Sequence, residues 1–491
     1  MIFKGYNAIN SAKKGAVNLF NFKEIDDVTS ENLLDFATPR NKYNLSIKGG
    51  KLTTGIGLER LGFTNDLGGN IKIPDFESGV LKQAFVYYKT DESGKEDYRI
   101  IARNSNGQFY YLKLTTGASW VEITNLKSNS NVSAINYRYN DKNVFLICSD
   151  TAVLQMYDGE KVVDVTSAPK ISSICEHYGR IFASTIGAGN EVWFSEDYNP
   201  LNWKISLDGA GKITFADSLG GVVKVVSFND YVYVFRKHGI FRLTAFSKQT
   251  DFELVKVAEI SGNIYENTIT ICEEKIIFLT SEGLYLFDGY NLKKIVKNVK
   301  RLKNIYEAYV TSGYASGKYY LAFNHAELTE IHDETGVFTN NYLLVYDFET
   351  GKAEFSRGMD IMSISSIKMN NTSNCLVVLR GKNNKTISGF TNNGKYHNED
   401  LKFCFSTIKY YFGDICKKKY ISDIDILTKH NLVVELDLDG IKYEYNVLGS
   451  GEFTKVKVMK RCKALRMTIR GEGKADISGI RINYSVVRKN G

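Results

Sequence analysis

Two stretches decide the fold: Ile135–Val165, INYRYNDKNVFLICSDTAVLQMYDGEKVVDV, and Ile269–Ile295, ITICEEKIIFLTSEGLYLFDGYNLKKI. In each, a strand ends at a short polar turn and a fully apolar strand follows, Val144–Cys148 in one and Ile276–Leu279 in the other. An aromatic residue then precedes Asp-Gly, as Tyr157-Asp158-Gly159 and Phe287-Asp288-Gly289. Asp-Gly supplies the positive backbone angles of a tight hairpin turn, so each copy is expected to close as an antiparallel unit. Looser copies lie at Phe85–Ile123, Ile171–Ile205, Val222–Leu254, Tyr314–Phe355 and Ile364–Phe390. Their spacing, roughly 40 to 50 residues, suits blades of about four strands. A blade cannot bury both faces alone, so the copies must stack. The expected fold is all-β, a β-propeller of about six to seven blades, with an irregular array of sandwiches as the alternative.

Composition agrees. The chain has 491 residues, with 31 Tyr and 28 Phe against 4 Pro, which favours aromatic-rich strands and leaves almost no proline-rich linker. No apolar stretch approaches the length needed to cross a bilayer, and Met1-Ile2-Phe3-Lys4 leads into polar sequence without a signal-peptide core. A soluble protein made in a cytoplasm is expected. Seven scattered cysteines with no CxxC pair predict reduced thiols in strands, neither a disulfide framework nor a zinc site.

Three regions are read. Residues 1–80 form an N-terminal arm with a short helix in IDDVTSENLLDF (Ile25–Phe36) and a strand in KGGKLTTGIGLERLGF (Lys48–Phe63) that starts or closes the first blade. Residues 81–395 form the propeller. Residues 396–491 alternate apolar and polar side chains between turns, as in a small β-sandwich. Residues 401–491 hold 18 Lys and Arg against 10 Asp and Glu, a net of +8 that equals the whole-chain charge, so the rest of the chain is neutral. Lys455, Lys457, Lys460, Arg461, Lys463, Arg466 and Arg470 fall within sixteen residues without one acid. Alternation predicts one basic sheet face, either a solvated face that discourages edge pairing or a surface for DNA or an acidic partner.

Chemistry is sparse. The six histidines, His177, His238, His325, His332, His397 and His430, are dispersed at no standard ligand spacing and are expected in exposed loops. GKNNK (Gly381–Lys385) is too short for a phosphate loop, and GxSxG does not occur. SEDYNPLNW (Ser195–Trp203) looks like the Asp-box turn of sialidase propellers, with Asn199 in place of Gly, and that turn is structural. Glu196-Asp197 and Glu273-Glu274 are adjacent and would point to opposite faces of a strand, the wrong arrangement for an acid/base pair. The chain is read as a non-enzyme without catalytic, cofactor-binding or metal-ligating residues and without a cofactor.

RIFASTIGAGNEVWFSEDYNPLNWKISLDGAGKITFADSLGGVVKVVSFNDYVYVFRKHGIFRLT, residues 180–244, resembles the propeller segment of bacteriophage tail and neck proteins, the packaged-DNA stabilisation and tail-nozzle proteins of short-tailed phages and prophages. The match rests on Trp193, Phe194, Ser195, Asn199, Pro200, Trp203, Phe215, Asp217, Val225, Phe228, Tyr233, Phe235 and Ile240. It covers some two thirds of the chain in pattern but only this segment closely. NLFNF with GIGLERLGF, and Ser406–Ile426, are compatible with the arm and the C-terminal domain of such proteins. The resemblance implies a structural virion component, a ring of copies, a hexamer by that likeness, that lies beneath the portal and its adaptor. Such a ring continues the DNA channel, takes part in DNA ejection, retains packaged DNA and supports fibres or spikes, with no membrane partner. A tail-tip propeller that binds a receptor or glycan through Tyr110, Tyr111, Trp120, Tyr319 and Tyr320 is the rival reading.

Overall fold

Continuous apolar runs such as Val144–Cys148 build strands buried on both faces, and the turns joining the first two strands of blades 2 to 6 are two residues long, so these strands pair antiparallel. The computed structural model describes residues 14–64, 70–90, 96–187, 189–207, 209–246, 248–303, 305–325, 332–333, 336–337, 341–369 and 372–486. In it, six four-stranded antiparallel blades and a seventh, whose four blade strands are extended by Lys395–Tyr396 and Glu399–Asp400, form a β-propeller. Blades 1 to 6 run from Leu81 to Lys127, Val132 to Val165, Ile171 to Thr214, Val222 to Glu259, Thr270 to Ile295 and Thr311 to Arg357. Blade 7 takes three strands from the C-terminal side, Ile361–Met369, Thr372–Leu379 and Ile387–Thr391, and its fourth, Gly57–Arg60, from the N-terminal segment. Leu58 lies opposite Phe390 and Glu59 opposite Gly389 in that closing pair.

The apolar core lies between blades. Ile101, Phe109, Phe145 and Tyr157 join blades 1 and 2, and Val232, Val234, Phe182 and Phe194 join blades 3 and 4. The ring closes where Leu376 and Val378 of blade 7 pack with Ile100 and Ala102 of blade 1. Polar ties repeat the pattern. Tyr87 Oη donates to Asn143 O at 2.9 Å, Tyr137 Oη to Gly179 O at 2.8 Å, and Tyr233 Oη to Gly289 O at 3.2 Å, each from one blade to the next. In the two Asp-Gly turns only the glycine has positive φ, 92° at Gly159 and 98° at Gly289. Asp158 and Asp288 instead accept backbone N–H groups two and three residues on, so each turn is a four-residue Asx turn rather than the two-residue hairpin expected.

The second unit is a β-sandwich. One sheet contains Pro39–Tyr43, Lys402–Thr407, Leu465–Glu472, Leu432–Leu438 and Ile441–Val447. The other contains Lys14–Leu19, Leu45–Lys48, Lys51–Thr54, Asp476–Val486, Lys419–Thr428 and Phe453–Cys462. The N-terminal segment is therefore not a separate arm: four of its strands complete the sandwich and the next closes the propeller. The expected helix reduces to a single 3-10 turn, Glu31–Leu33. All seven cysteines are free thiols; six are buried, and Cys416 is exposed in a turn rather than a strand.

Histidine placement departs from the expectation of exposed loops. His177 and His325 are buried, while His238, His397 and His430 are half-buried; the side chain of His332 lies outside the described residues. His177 closes the first strand of blade 3, and its Nδ1 shares a hydrogen bond with Ser227 Oγ of blade 4 at 3.0 Å. Burial pushes its pKa down from 6.5 to about 4. The unfolded chain thus takes up this proton first as pH falls, so stability drops from about pH 6.5 and levels off near pH 4. Urea titrations across this range are expected to show about 3 kcal/mol of pH-dependent loss that disappears in His177→Asn.

Candidate interaction surfaces

The seven basic residues do not share one face. Phe453–Cys462 and Leu465–Glu472 are consecutive strands of opposite sheets, so their outward side chains point away from each other. Within the first strand alternation holds: Val456 and Val458 are buried, Lys455 and Lys457 exposed. Directly across lie acids that the basic stretch itself lacks, Asp425 opposite Lys455 and Asp423 opposite Lys457. Lys455 Nζ lies 4.0 Å from Asp423 and 3.9 Å from Asp425. Lys460 packs over the Tyr443 ring at 4.9 Å, and Lys463 N donates to Asp439. On the other sheet, Arg466 pairs with Glu31 at 3.0 Å, and Arg470 bonds buried Glu435 at 3.0 Å and lies 3.5 Å from Glu444.

What remains outward and cationic is the edge strand. Among the described residues Phe453–Cys462 pairs only with Lys419–Thr428, and Lys457, Lys460 and Arg461 project from it. A kink at Met459, φ 55°, accompanies a register shift between Ile421 and Asp423. Lysine and bulges are the ordinary devices that keep a bare edge from pairing indiscriminately.

The Trp-bearing turn of blade 3 is a built corner. Ser195 is fully buried; its Oγ accepts from Ile181 N and donates to Glu196 O. Glu196 accepts from Asn202 and Asn199, bonds that hold its carboxyl below the usual range. Trp203, 1% exposed, donates from Nε1 to Pro200 O at 2.9 Å and packs among residues of blades 2 and 3. Trp193 is half-buried, its Nε1 donating to Glu191 at 2.8 Å and its face beneath Lys212. Asp217 accepts from Leu219 N and from Arg236, whose guanidinium is buried over Phe215. These residues set loop geometry and leave no open functional group.

The inner strands surround a channel of about 590 Å³ lined by Lys82, Asp150, Lys224, Glu266 and many serine and threonine hydroxyls. Several hydroxyls bridge blades, as Ser312 with Thr270 at 2.5 Å. Lys224 and Glu266 touch the lumen yet are walled by protein, and this desolvation lowers the lysine pKa and raises that of the carboxyl. Lys224 Nζ donates to Ile269 O at 3.1 Å.

Of the aromatics that the rival reading assigned to sugar stacking, Tyr110, Tyr319 and Tyr320 are in strands and buried, Tyr111 is in a strand and half-buried, and Trp120, in the loop before Val121, is half-buried and donates to Pro74 O. Four of the exposed aromatics lie in turns of blades 3 to 5, while Phe20, Tyr306, Tyr309 and Phe453 are exposed elsewhere. Tyr198 is 70% exposed, Tyr290 64%, Phe246 52% and Tyr178 51%. They meet around Arg242 and were not singled out by sequence because nothing local separates a turn tyrosine from a strand tyrosine.

No family model and no curated protein matches the chain. Among solved structures it is similar to BBS1N in complex with ARL6DN, at 6% identity over 68% of this chain and 97% of that one, with a TM-score of 0.42.

Charge placement separates structural from surface cations. Arg470→Met leaves buried Glu435 with Lys442 as its remaining partner at 3.5 Å, and is expected to cost about 3 kcal/mol in urea unfolding. Lys457→Gln is expected to stay within about 0.5 kcal/mol of the parent.

Proposed function

We propose that this chain is a structural component of a phage virion tail or neck, assembling with copies of itself into a ring that continues the DNA channel and retains or conducts packaged DNA. The observation that carries the reading is the corner at residues 193–217. The residues that resemble short-tailed phage tail proteins are committed to holding blades 3 and 4 in shape, which suits a scaffold that bears load and performs no chemistry. A closed ring of sheets leaves few open edges and resists deformation. At about 590 Å³ the propeller's own channel has the dimensions of a small-molecule site, so DNA would run through the lumen formed by the ring of subunits. The cationic edge at Lys457, Lys460 and Arg461 would face a neighbouring subunit, the portal or adaptor, a fibre or spike, or DNA phosphates.

Quantitative mass spectrometry of purified particles, from the phage or induced prophage that encodes the chain, tests this. The chain is expected at a fixed whole-number relation to the portal protein, as closed symmetry requires. Its absence from particles would refute the reading.

A further inference from the structure

The exposed aromatics of blades 3 to 5 converge on one face of the propeller. Within an antiparallel blade the turn between the first two strands and the turn between the last two lie at the same end. Tyr178 is in the first such turn of blade 3 and Tyr198 in its second. Tyr231 opens the second strand of blade 4, Phe246 follows its third, and Tyr290 sits in the last turn of blade 5. Contact makes them continuous. Tyr178 meets Phe246 at 5.8 Å, Phe246 meets Tyr231 at 6.1 Å, and the Arg242 guanidinium lies 4.6 Å from the Tyr231 ring centre and 5.4 Å from that of Tyr290. Tyr198 packs on the other side of the Tyr178 turn, where a Cβ at Gly179 would come within 2.6 Å of its ring.

Scattered exposed aromatics need no explanation; a contiguous set around an arginine does. Arg242 is the cation of this patch, and no carboxylate of the described residues lies within ion-pair distance of it. Its Nε is buried without a hydrogen-bond partner. The two acids nearby are occupied: Asp230 accepts the Tyr178 hydroxyl at 3.1 Å, and Asp288 accepts Tyr290 N, Asn291 N and Asn291 Nδ2. A guanidinium held between two ring faces is pre-organised for a planar anion and costs little further entropy to engage.

We propose that this face docks another protein through a carboxylate that seats on Arg242, with aliphatic neighbours of that acid lying against Tyr178, Tyr198, Phe246 and Tyr290. Tyrosine, phenylalanine and arginine are the residues that anchor contacts between separately folded partners, and the obligate contact between identical copies is more apolar. The geometry disfavours a sugar. The rings stand at 85° and 51° to one another rather than side by side, and none of them lines the channel cavity. The inference stands apart from the tail reading, since it concerns which face binds and by what chemistry.

The test places a photo-crosslinking p-benzoylphenylalanine at Tyr290 in the full chain, in the cells that produce it, and maps adducts by mass spectrometry. The expected result is one light-dependent conjugate to a different protein, at a segment carrying Asp or Glu beside aliphatic residues. Its yield falls about tenfold or more with Arg242→Glu and returns when the mapped acid is changed to Arg. A folded, non-binding Phe246→Ser variant serves if Arg242→Glu does not fold. Four outcomes overturn the proposal: no conjugate, a conjugate indifferent to both substitutions, a glycan adduct, or an adduct between two copies of this chain.

Discussion

Asn44 holds the molecule together at the point where its two units meet. It sits at φ 57°, between the last residue of one sandwich strand and the first of another, and its backbone N donates to Phe355 O of blade 6. Its Nδ2 donates to Arg357 O at 3.0 Å and Lys402 O at 2.7 Å, while its Oδ1 accepts from Arg357 N at 2.8 Å. One side chain thus satisfies backbone groups from the end of blade 6 and the start of a sandwich strand, groups that burial would otherwise leave unpaired at a cost of about 1–3 kcal/mol each. Glu354 adds bonds to Ser46 Oγ and Ile47 N, and Arg357 lies over the Tyr342 ring. Fourteen residues after Asn44 the same segment supplies Leu58 to close blade 7. The sandwich and the ring therefore share one continuous piece of chain, and neither is complete without it.

That coupling explains what was legible in the sequence. Each of blades 1 to 6 is a local meander, so its strand pattern announces it within some forty residues, and in blades 2 and 5 the Asp158-Gly159 and Asp288-Gly289 turns mark it. The closing strand pairs residues 57–60 with 388–391, a register that no local pattern encodes because any apolar strand of the right length would fit it. The sandwich's N-terminal strands were hidden for the same reason. The basic stretch was visible as composition, but its meaning was not. Asp423, Asp425 and Glu435 on other strands and Glu31 in its 3-10 turn neutralise much of it, and a turn of the chain at Cys462–Leu465 sends its two halves to opposite sheets. Around Arg242 the limit is finer still. Tyr178 is exposed and Tyr137 buried because Tyr178 sits in the two-residue turn after Ile171–His177 while Tyr137 lies inside Val132–Tyr139, a boundary the local sequence does not mark.

Rigid closure and surface chemistry are divided between different parts of the protein. Interblade tyrosines and the corner at Trp203 spend their polar groups on the fold, leaving the face around Arg242 and the edge at Lys457 as the surfaces with chemistry to offer.

The most direct test of the shared-segment account is urea unfolding of Asn44→Ala followed by two probes. Trp120, Trp193 and Trp203 are the only tryptophans and all lie in the propeller, whereas far-ultraviolet circular dichroism reports both units. The account predicts that this substitution, made between two sandwich strands, lowers the tryptophan midpoint by an amount equivalent to about 3 kcal/mol or more, with both probes moving together. A tryptophan transition left at the parent midpoint, with an earlier separate step in circular dichroism, would contradict it.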